Sequence, residues 1–209
     1  MSFLAQMAQG SAGRVRTARA AGSEASLLAA CRSRPRPPPL ALDRFDLVAE
    51  IKRHSPAEGA LGAATDVAAR ARAYADAGAA AVSVLTEPER FGGSLDDLAT
   101  ATRALEGAAV PAMRKDFLVD PWQVLEARAA GAGGVLLIVA MLNDVVLAEM
   151  LATAREHDLF VLLEAFDEAD LERAAPHLEG ATAASPVLVG VNSRDLRTLA
   201  VDPARLARL

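Results

Sequence analysis

Three charged residues, each ending a short apolar run, are the part of this sequence most suited to chemistry. Lys52 closes the run LVAEIK, Lys115 closes VPAMRK and Glu164 closes LFVLLE. Apolar runs of this length that alternate with helical patterns are typical of parallel strands buried on both faces. In a closed β/α barrel the carboxyl ends of the strands meet at one rim, so the three charges are predicted to converge in one polar pocket. The pattern therefore predicts an enzyme.

The residue types at these strand ends are suited to proton transfer. Glu50 precedes Lys52 by two positions, so both side chains point to the same face of the strand. A lysine at a barrel mouth beside other cations, as in Arg114–Lys115, can act as a general acid. Burial suits the carboxyl group of Glu164 to proton transfer. The alternatives are a salt bridge on an exposed edge strand for the first pair and a solvated charge cluster for the second.

Side chains after other strands are candidates for holding an anionic or aromatic substrate. Asn192 and Arg194 follow the sixth apolar run, where an amide and a guanidinium group are suited to binding a carboxylate. Ser55, in the loop after the first run, could bring a hydroxyl group toward an anion. After the second run, Glu87 lies either at the rim or in a flexible loop, and Phe91 is a candidate for stacking on a ring.

The composition restricts the classes of function. Of the 209 residues, 52% are apolar, which is ample for a buried core, and the net charge of −5 argues against nucleic acid as a partner. The single cysteine, Cys31, excludes an intrachain disulfide and fits a reducing compartment, so a cytoplasmic location is predicted. No apolar stretch is long enough to span a membrane, and no Asp/His cluster has ligand spacing, so neither a membrane nor a metal is expected.

The chain divides by composition at about residue 40. Residues 1–40 hold a candidate helix and the stretch RSRPRPPP, which is interpreted as a stiff linker, with a partner-binding ligand as the less favoured alternative. Residues 41–209 alternate between apolar runs and helical stretches. The apolar runs start near Leu47, Ala81, Val110, Gly134, Leu159 and Val187.

The helical stretches carry signals for their ends. They open at the capping residues Asp66, Ser94, Asp120, Asn143 and Asp167. Glycines that are expected to be left-handed C-caps follow them at Gly78, Gly107, Gly131 and Gly180. This alternation predicts an α/β fold with about six β/α units in a barrel arrangement. The contrary class is an open doubly wound sheet, although no GxGxxG follows the first strand.

Four segments resemble the indole-3-glycerol phosphate synthase family: AEIKRHSPAEG, VSVLTEPERFGGS, MRKDFLVDPWQVLEARAAGAGGVLLIV and VGVNSRDL, in the family's order. The resemblance implies a (β/α)8 enzyme that converts 1-(2-carboxyphenylamino)-1-deoxyribulose 5-phosphate into indole-3-glycerol phosphate, with loss of CO2 and water. It implies that Lys115 is the general acid at the substrate carbonyl and that Glu164 is the general base.

The resemblance also assigns the remaining site residues and the partners. It implies that Glu50 and Lys52 shape the site, engage the anionic groups of the phosphorylated substrate and assist proton transfer. The aromatic and polar substrate-binding positions of the family are matched by Phe91, Phe117, Asn192 and Arg194. No cofactor is expected, because acid–base groups suffice for this reaction. Another phosphosugar barrel, such as phosphoribosylanthranilate isomerase, is the alternative enzyme, but it would not explain these motifs in this order.

The sequence departs from the family pattern in three ways. The loop after the first strand reads SPAEG, with Ala57 and Glu58 where the family has a serine and usually a lysine. Phe166 stands where the family often has histidine, and it is expected only to repack the end of the fifth strand. Six strands are counted, whereas a complete barrel needs eight strands and about 250 residues.

The strand count leads to an expectation about the whole chain. A C-terminally truncated barrel without its last phosphate-binding loops is expected to be poorly active, and its exposed edges favour self-association or a partner. The alternatives are a catalytically impaired paralogue, an interaction subunit, or a polypeptide cut short by an error in gene prediction.

Overall fold

A computed structural model of the chain describes residues 2–43, 45–55, 59–60 and 66–209. Within this part, six parallel strands form one sheet in the order of the sequence: β1 (Val48–Ile51), β2 (Ala81–Leu85), β3 (Ala112–Lys115), β4 (Gly134–Ile138), β5 (Phe160–Ala165) and β6 (Val187–Val191). A doubly wound sheet reverses its strand order at a switch point, and this sheet does not. The prediction of a β/α-barrel fold is confirmed: the strands and their helices form a half-barrel.

Nine α-helices form in the described part of the chain, and five of them begin directly after the predicted capping residues. They are α1 (Phe3–Ala21), α2 (Glu24–Ser33), α3 (Val67–Asp76), α4 (Pro88–Phe91), α5 (Leu95–Ala104), α6 (Pro121–Ala129), α7 (Asp144–Glu156), α8 (Glu168–Leu178) and α9 (Arg205–Arg208). The side chains of all five predicted caps accept a backbone N–H of the first helical turn. After β1, His54–Ser55 pairs with Gly59–Ala60 in a short antiparallel hairpin.

Three of the four predicted glycine C-caps are confirmed, since Gly78, Gly107 and Gly131 have positive φ. The prediction for Gly180 is wrong. The chain leaves α8 through Glu179 in a right-handed conformation, and the Ala181 N–H donates to the Leu178 carbonyl at 3.2 Å. Because this turn provides a hydrogen-bond donor for a carbonyl group at the end of the helix, no left-handed residue is needed there.

Side chains alternate along each strand between the helical layer and the barrel interior. Val84, Val135 and Leu163 face outward and are fully buried against the helices. Met113 and Phe160 face inward, in a second apolar cluster that fills the interior. Lys115 follows Met113 by two positions and Glu164 follows Phe160 by four, so both charges continue the inward-facing row at the carboxyl ends of their strands.

The N-terminal 40 residues pack against the barrel at three places. Helix α1 covers the carboxyl rim and places Leu4 and Met7 in the inner apolar cluster. Helix α2 lies against α6, where the Cys31 Sγ donates to the Leu125 carbonyl oxygen. The proline-rich stretch is held by Arg128, whose Nη2 donates to the carbonyl oxygens of Arg34 and Pro35. The division into an extension and a barrel stays a prediction.

Apolar side chains are exposed beside β1, which has a strand neighbour on one side only in the described sheet. Leu47 and Val48 are 62% and 47% exposed. The predicted self-association through the barrel edges stays a prediction. Among the described residues, no helix is both long and apolar enough to cross a membrane.

The loop after β2 allows a test of the fold. A Cβ added at Gly93 would collide with the carbonyl oxygen of Leu85, whereas one added at Gly10 in α1 would meet no heavy atom within 4 Å. We expect Gly93→Ala to lower the free energy of unfolding by about 2 kcal/mol, because the backbone must shift. Gly10→Ala is the control, and it should raise stability by about 1 kcal/mol because alanine favours a helix. Urea unfolding measures both, and an unchanged Gly93→Ala midpoint would contradict this packing.

Candidate active site

The ion pair between Lys115 and Glu50 lies at the centre of the carboxyl rim. The Lys115 Nζ donates to Glu50 Oε2 at 2.6 Å, and the Lys52 Nζ lies 3.5 Å from Oε1 of the same carboxylate. Glu50 is on β1 and Lys115 is on β3, so the pair crosses the inner face of β2. The curvature of the sheet allows this contact. The structure therefore brings Glu50, Lys52 and Lys115 together, as the strand pattern predicts.

Glu164 lies at the same rim, but its protonation preference is opposite to that of Glu50. Its residue is only 8% exposed, and burial raises the pKa of Glu164, while Lys115 and a hydrogen bond from the Asn192 side chain offset this only in part. Burial acts in the same direction on Glu50, but Lys115 and then Lys52 outweigh it and hold the pKa of Glu50 below its ordinary value. Two carboxyl groups whose pKa values are driven apart are suited to acid–base catalysis.

A cavity of about 390 Å³ connects these groups to an apolar region. The rings of Phe91 and Phe117 lie with their centroids 6.2 Å apart, and Phe3 of α1 meets Phe117 edge-to-face at 5.9 Å. Such a wall suits a flat aromatic group, while the charged wall suits a carbonyl or a carboxylate. Nine of the side chains that line the cavity are Phe3, Lys52, Phe91, Lys115, Phe117, Leu136, Glu164, Asn192 and Arg194.

Arg114 does not belong to the cavity, although it precedes Lys115. Its buried guanidinium faces the helices and donates to Glu126 at 3.0 Å and to Asp116 at 3.2 Å. The expectation that Lys115 lies beside cations is therefore wrong in part: Arg114 points away because side chains alternate along β3, and the hydrogen-bond partner of Lys115 is the carboxylate of Glu50.

One arginine of α1 braces the loops that carry the two phenyl rings. The Arg14 Nη2 donates to Asp116 Oδ1 at 2.7 Å, and Arg14 Nη1 lies 3.8 Å from Glu87 Oε1. Asp116 also accepts the N–H of Phe117 at 2.8 Å. Glu87 is 1% exposed and accepts three backbone N–H groups, among them that of Phe91, so the alternative of a flexible loop carboxylate is wrong. Arg14 thus ties the supports of both rings together.

The predicted anion loop after β1 lies largely outside the described residues. The backbone of Ser55 forms the hairpin with Gly59, but the side chain of Ser55 and all of Ala57 and Glu58 are outside the description. The predictions for these residues stay predictions. Phe166 is buried in the inner apolar cluster at the end of β5, where repacking was expected.

Sequence reasoning did not predict several of the residues that line the cavity, among them Phe3, Leu196 and Leu199. Phe3 comes from a helix more than 100 positions away from Phe117, and no local pattern signals that contact. The composition contained a signal that Lys52 and Lys115 have a special role, because they are the only lysines among 22 lysine and arginine residues. Arginine does not give up its proton in proteins, so lysine at only these two positions indicates proton chemistry.

The fold and the pocket define a β/α-barrel protein with an acid–base site at the carboxyl rim of its strands. The chain belongs to the indole-3-glycerol phosphate synthase family, whose sequence model matches residues 9–209.

Relatives carrying the name indole-3-glycerol phosphate synthase support the assignment. Those of Parafrankia sp. (strain EAN1pec) and Nocardioides sp. (strain ATCC BAA-499 / JS614) are each 49% identical, over 79% and 78% of this chain. That of Rhizorhabdus wittichii is 46% identical over 81% of this chain. The matched regions span 58%, 59% and 62% of the lengths of these relatives. A solved structure of the carboxyl transferase domain of Rhizobium etli pyruvate carboxylase aligns with 68% of this chain and 30% of its own at 13% identity, with a TM-score of 0.42, which is too low for any conclusion.

Replacing Glu164 tests the electrostatics of the site without a substrate. A carboxyl group with a raised pKa in the folded state binds its proton more tightly there, so its ionisation reduces stability as the pH rises above its ordinary value. We expect Glu164→Gln to raise the melting temperature at about pH 8, and the gain should vanish below about pH 4.5. Glu149→Gln, on the exposed face of α7, is the control without such a pH dependence. A destabilising effect of Glu164→Gln at high pH would contradict the assignment.

Proposed function

We propose that the protein of which this chain is a part catalyses the decarboxylative ring closure of 1-(2-carboxyphenylamino)-1-deoxyribulose 5-phosphate to indole-3-glycerol phosphate. The observation that carries the proposal is that the only two lysines of the chain line one cavity together with Glu164, and that both lysines pair with Glu50. Family membership supports the same reaction. It leaves the alternative, phosphoribosylanthranilate isomerase, without support.

Lys115 is the general acid in this proposal. The ring carbon that bears the carboxylate attacks the ketone carbon, and the new carbon–carbon bond places negative charge on the ketone oxygen. A proton from Lys115 neutralises that oxygen, which then belongs to a hydroxyl group. Glu50, at 2.6 Å, orients the ammonium group for this transfer. Loss of CO2 returns the bonding electrons to the ring.

Glu164 is the general base in the second half of the reaction. The hydroxyl group leaves as water with a proton from the Lys52 ammonium group, and the ring system gives up a proton to the Glu164 carboxylate to form the indole double bond. A carboxylate with a raised pKa is a better proton acceptor than an ordinary one, which supports this role for Glu164. The Asn192 amide orients its carboxyl group.

The remaining cavity residues bind the substrate in this proposal. The rings of Phe91 and Phe117 enclose the carboxyphenyl group, because apolar rings at this spacing can contact a flat ring from two sides. Lys52 and Arg194 supply positive charge for its anionic groups. A phosphorylated small molecule is thus the proposed partner. Low activity of the 209-residue chain, a cytoplasmic location and independence from metals or cofactors stay predictions.

Two substitutions of Lys115 distinguish the role of its positive charge from its capacity to donate a proton. Lys115→Arg keeps a cation near Glu50 but cannot give up a proton, and Lys115→Met removes both functions. We expect each to lower kcat by about 10²-fold or more in the whole protein that contains this chain, measured by the fluorescence of the indole product.

Arg16→Gln, an exposed substitution on α1, is the control and should leave kcat unchanged. Near-normal turnover by Lys115→Arg would remove Lys115 from the acid role. An absence of turnover by the whole protein that contains this chain would contradict the proposed activity.

A further inference from the structure

Arg197 joins the loop after β6 to the start of the helix after β5. Its Nη1 donates to Asp167 Oδ2 at 2.8 Å, and its Nε and Nη2 donate to the two oxygens of Asp195 at 3.0 and 2.7 Å. The guanidinium also lies over the ring of Phe166, 5.6 Å from its centroid. One side chain therefore connects the loop that follows Asn192 to the segment that follows Glu164.

The loop after β6 is a tight hairpin with Asp195 at its base. The Asp195 N–H donates to the Ala200 carbonyl at 2.9 Å, and its own carbonyl accepts from Leu199 at 2.6 Å. Leu199 adopts a φ of +64°, a backbone conformation that residues other than glycine rarely adopt. Because Asp195 is 8% exposed, its carboxylate needs the partners that Arg197 supplies.

The same hairpin places the polar groups that face the cavity. The Asn192 Oδ1 accepts the N–H of Arg194 at 2.9 Å. Glu164 pairs with Gly190, two positions before Asn192, and the side chains of Glu164 and Asn192 line the same cavity, so the Asn192 amide nitrogen is placed to favour the ionised Glu164 carboxyl group. Leu196 and Leu199 of the hairpin line the cavity. A displacement of the hairpin would therefore change both the hydrogen bond to Glu164 and the shape of the pocket.

We propose that Arg197 is a positioning residue, which ties Asp167 to Asp195 and so holds the Asn192 amide against the Glu164 carboxyl group. The importance of Glu164 in this inference rests on the proposed function. Arg197 touches no cavity group itself, and it acts through the hairpin. Neither the strand ends nor the motif that matches the family pointed to this role.

The two ion pairs of Arg197 differ in their exposure to solvent. The Arg197 side chain is 39% exposed and that of Asp167 is 41% exposed, and pairs this open to solvent contribute little to stability. The pKa of Asp195 is lowered mainly by Arg197, whereas that of Asp167 is lowered first by the Asp170 N–H and then by Arg197. Asp167→Asn therefore removes only an exposed pair, whereas loss of Arg197 also deprives the Asp195 side chain, which is 11% exposed, of its main partner and should lower stability as well as loosen the hairpin.

The charged groups around Glu164 influence the pKa that a titration of Glu164 would measure. Lys115 faces it from β3 and Glu50 from β1, while Lys52 and Arg194 line the same cavity. The donor from the hairpin that favours the ionised form of Glu164 is the Asn192 amide. If that donor moves away, the pKa of Glu164 must rise further, because a hydrogen bond to a carboxylate favours its charged form.

The test measures the titration of Glu164 by ¹³C NMR of carboxyl-labelled glutamate, with Glu164→Gln to assign the signal. We expect the midpoint to rise by roughly half a pH unit in Arg197→Gln, as for the loss of one hydrogen bond. Asp167→Asn should have the same effect, because asparagine still caps α8 but no longer pairs with Arg197. Arg197→Lys should lie between. The control is Arg208→Gln, which removes an exposed pair with Asp202 and should change nothing.

Turnover adds a second readout to the same series. The acid limb of the pH profile of kcat/KM should shift by the same amount as the titration midpoint, since that limb reports the free enzyme's base. Unchanged Glu164 midpoints in both Arg197→Gln and Asp167→Asn would overturn the proposal. If Arg197→Gln does not fold, Asp167→Asn decides the question. If the whole protein that contains this chain does not turn over the substrate, the proposed function fails while the titration still tests Arg197.

Discussion

The ion pair between Lys115 and Glu50 is the interaction to which the rest of the site is adjusted. Two charges at the ends of buried strands are costly unless each compensates the other, and the pair meets this need at 2.6 Å across the inner face of β2. Its geometry requires the inward-facing register of β1 and β3 and the curvature of the sheet between them. The ionised Glu50 in turn disfavours a second negative charge nearby, which adds to the effect of burial on Glu164.

The walls of the pocket are held by two arginines on opposite sides of the barrel. Arg14, from α1, connects the carboxylates that support Phe91 and Phe117 after β2 and β3. Arg197 makes the corresponding connection between the segments after β5 and β6. In both cases a guanidinium bridges two carboxylates from different loops, which its planar fork of donors allows. The proposed catalytic residues Glu50, Lys115 and Glu164 lie on strands, whereas Phe91 and Phe117 lie on the segments after β2 and β3 that Arg14 holds in place.

Much of the fold could be predicted because its signals are local. The residues Asp66, Ser94 and Asn143 cap helices through hydrogen bonds that involve only their own first turns, so sequence spacing was enough to find them. The prediction of a left-handed C-cap at Gly180 was wrong because α8 ends through Glu179 in a right-handed conformation. A glycine after a helix does not by itself determine how the helix ends.

The candidate site was predictable only where strand periodicity controls it. Lys115 and Glu164 end inward-facing rows, and alternation along β3 also places Arg114 on the other face. Phe3, Leu199 and Arg197 were out of reach, because their positions depend on tertiary contacts that no local pattern encodes. The sequence itself shows that Lys52 and Lys115 are the only lysines of the chain, so this signal could have been used without the structure.

The opposite protonation preferences of Glu50 and Glu164 around Lys115 are the central claim, and one NMR measurement tests it directly. In protein labelled with ¹⁵N-lysine, only Lys52 and Lys115 contribute side-chain amine signals. The account predicts that the Lys115 Nζ signal changes with pH in two steps, one below and one above the ordinary glutamate value of 4.5. Glu50→Gln should remove the lower step and Glu164→Gln the upper one. A single step near that ordinary value, or a signal that does not respond to either substitution, would contradict the account.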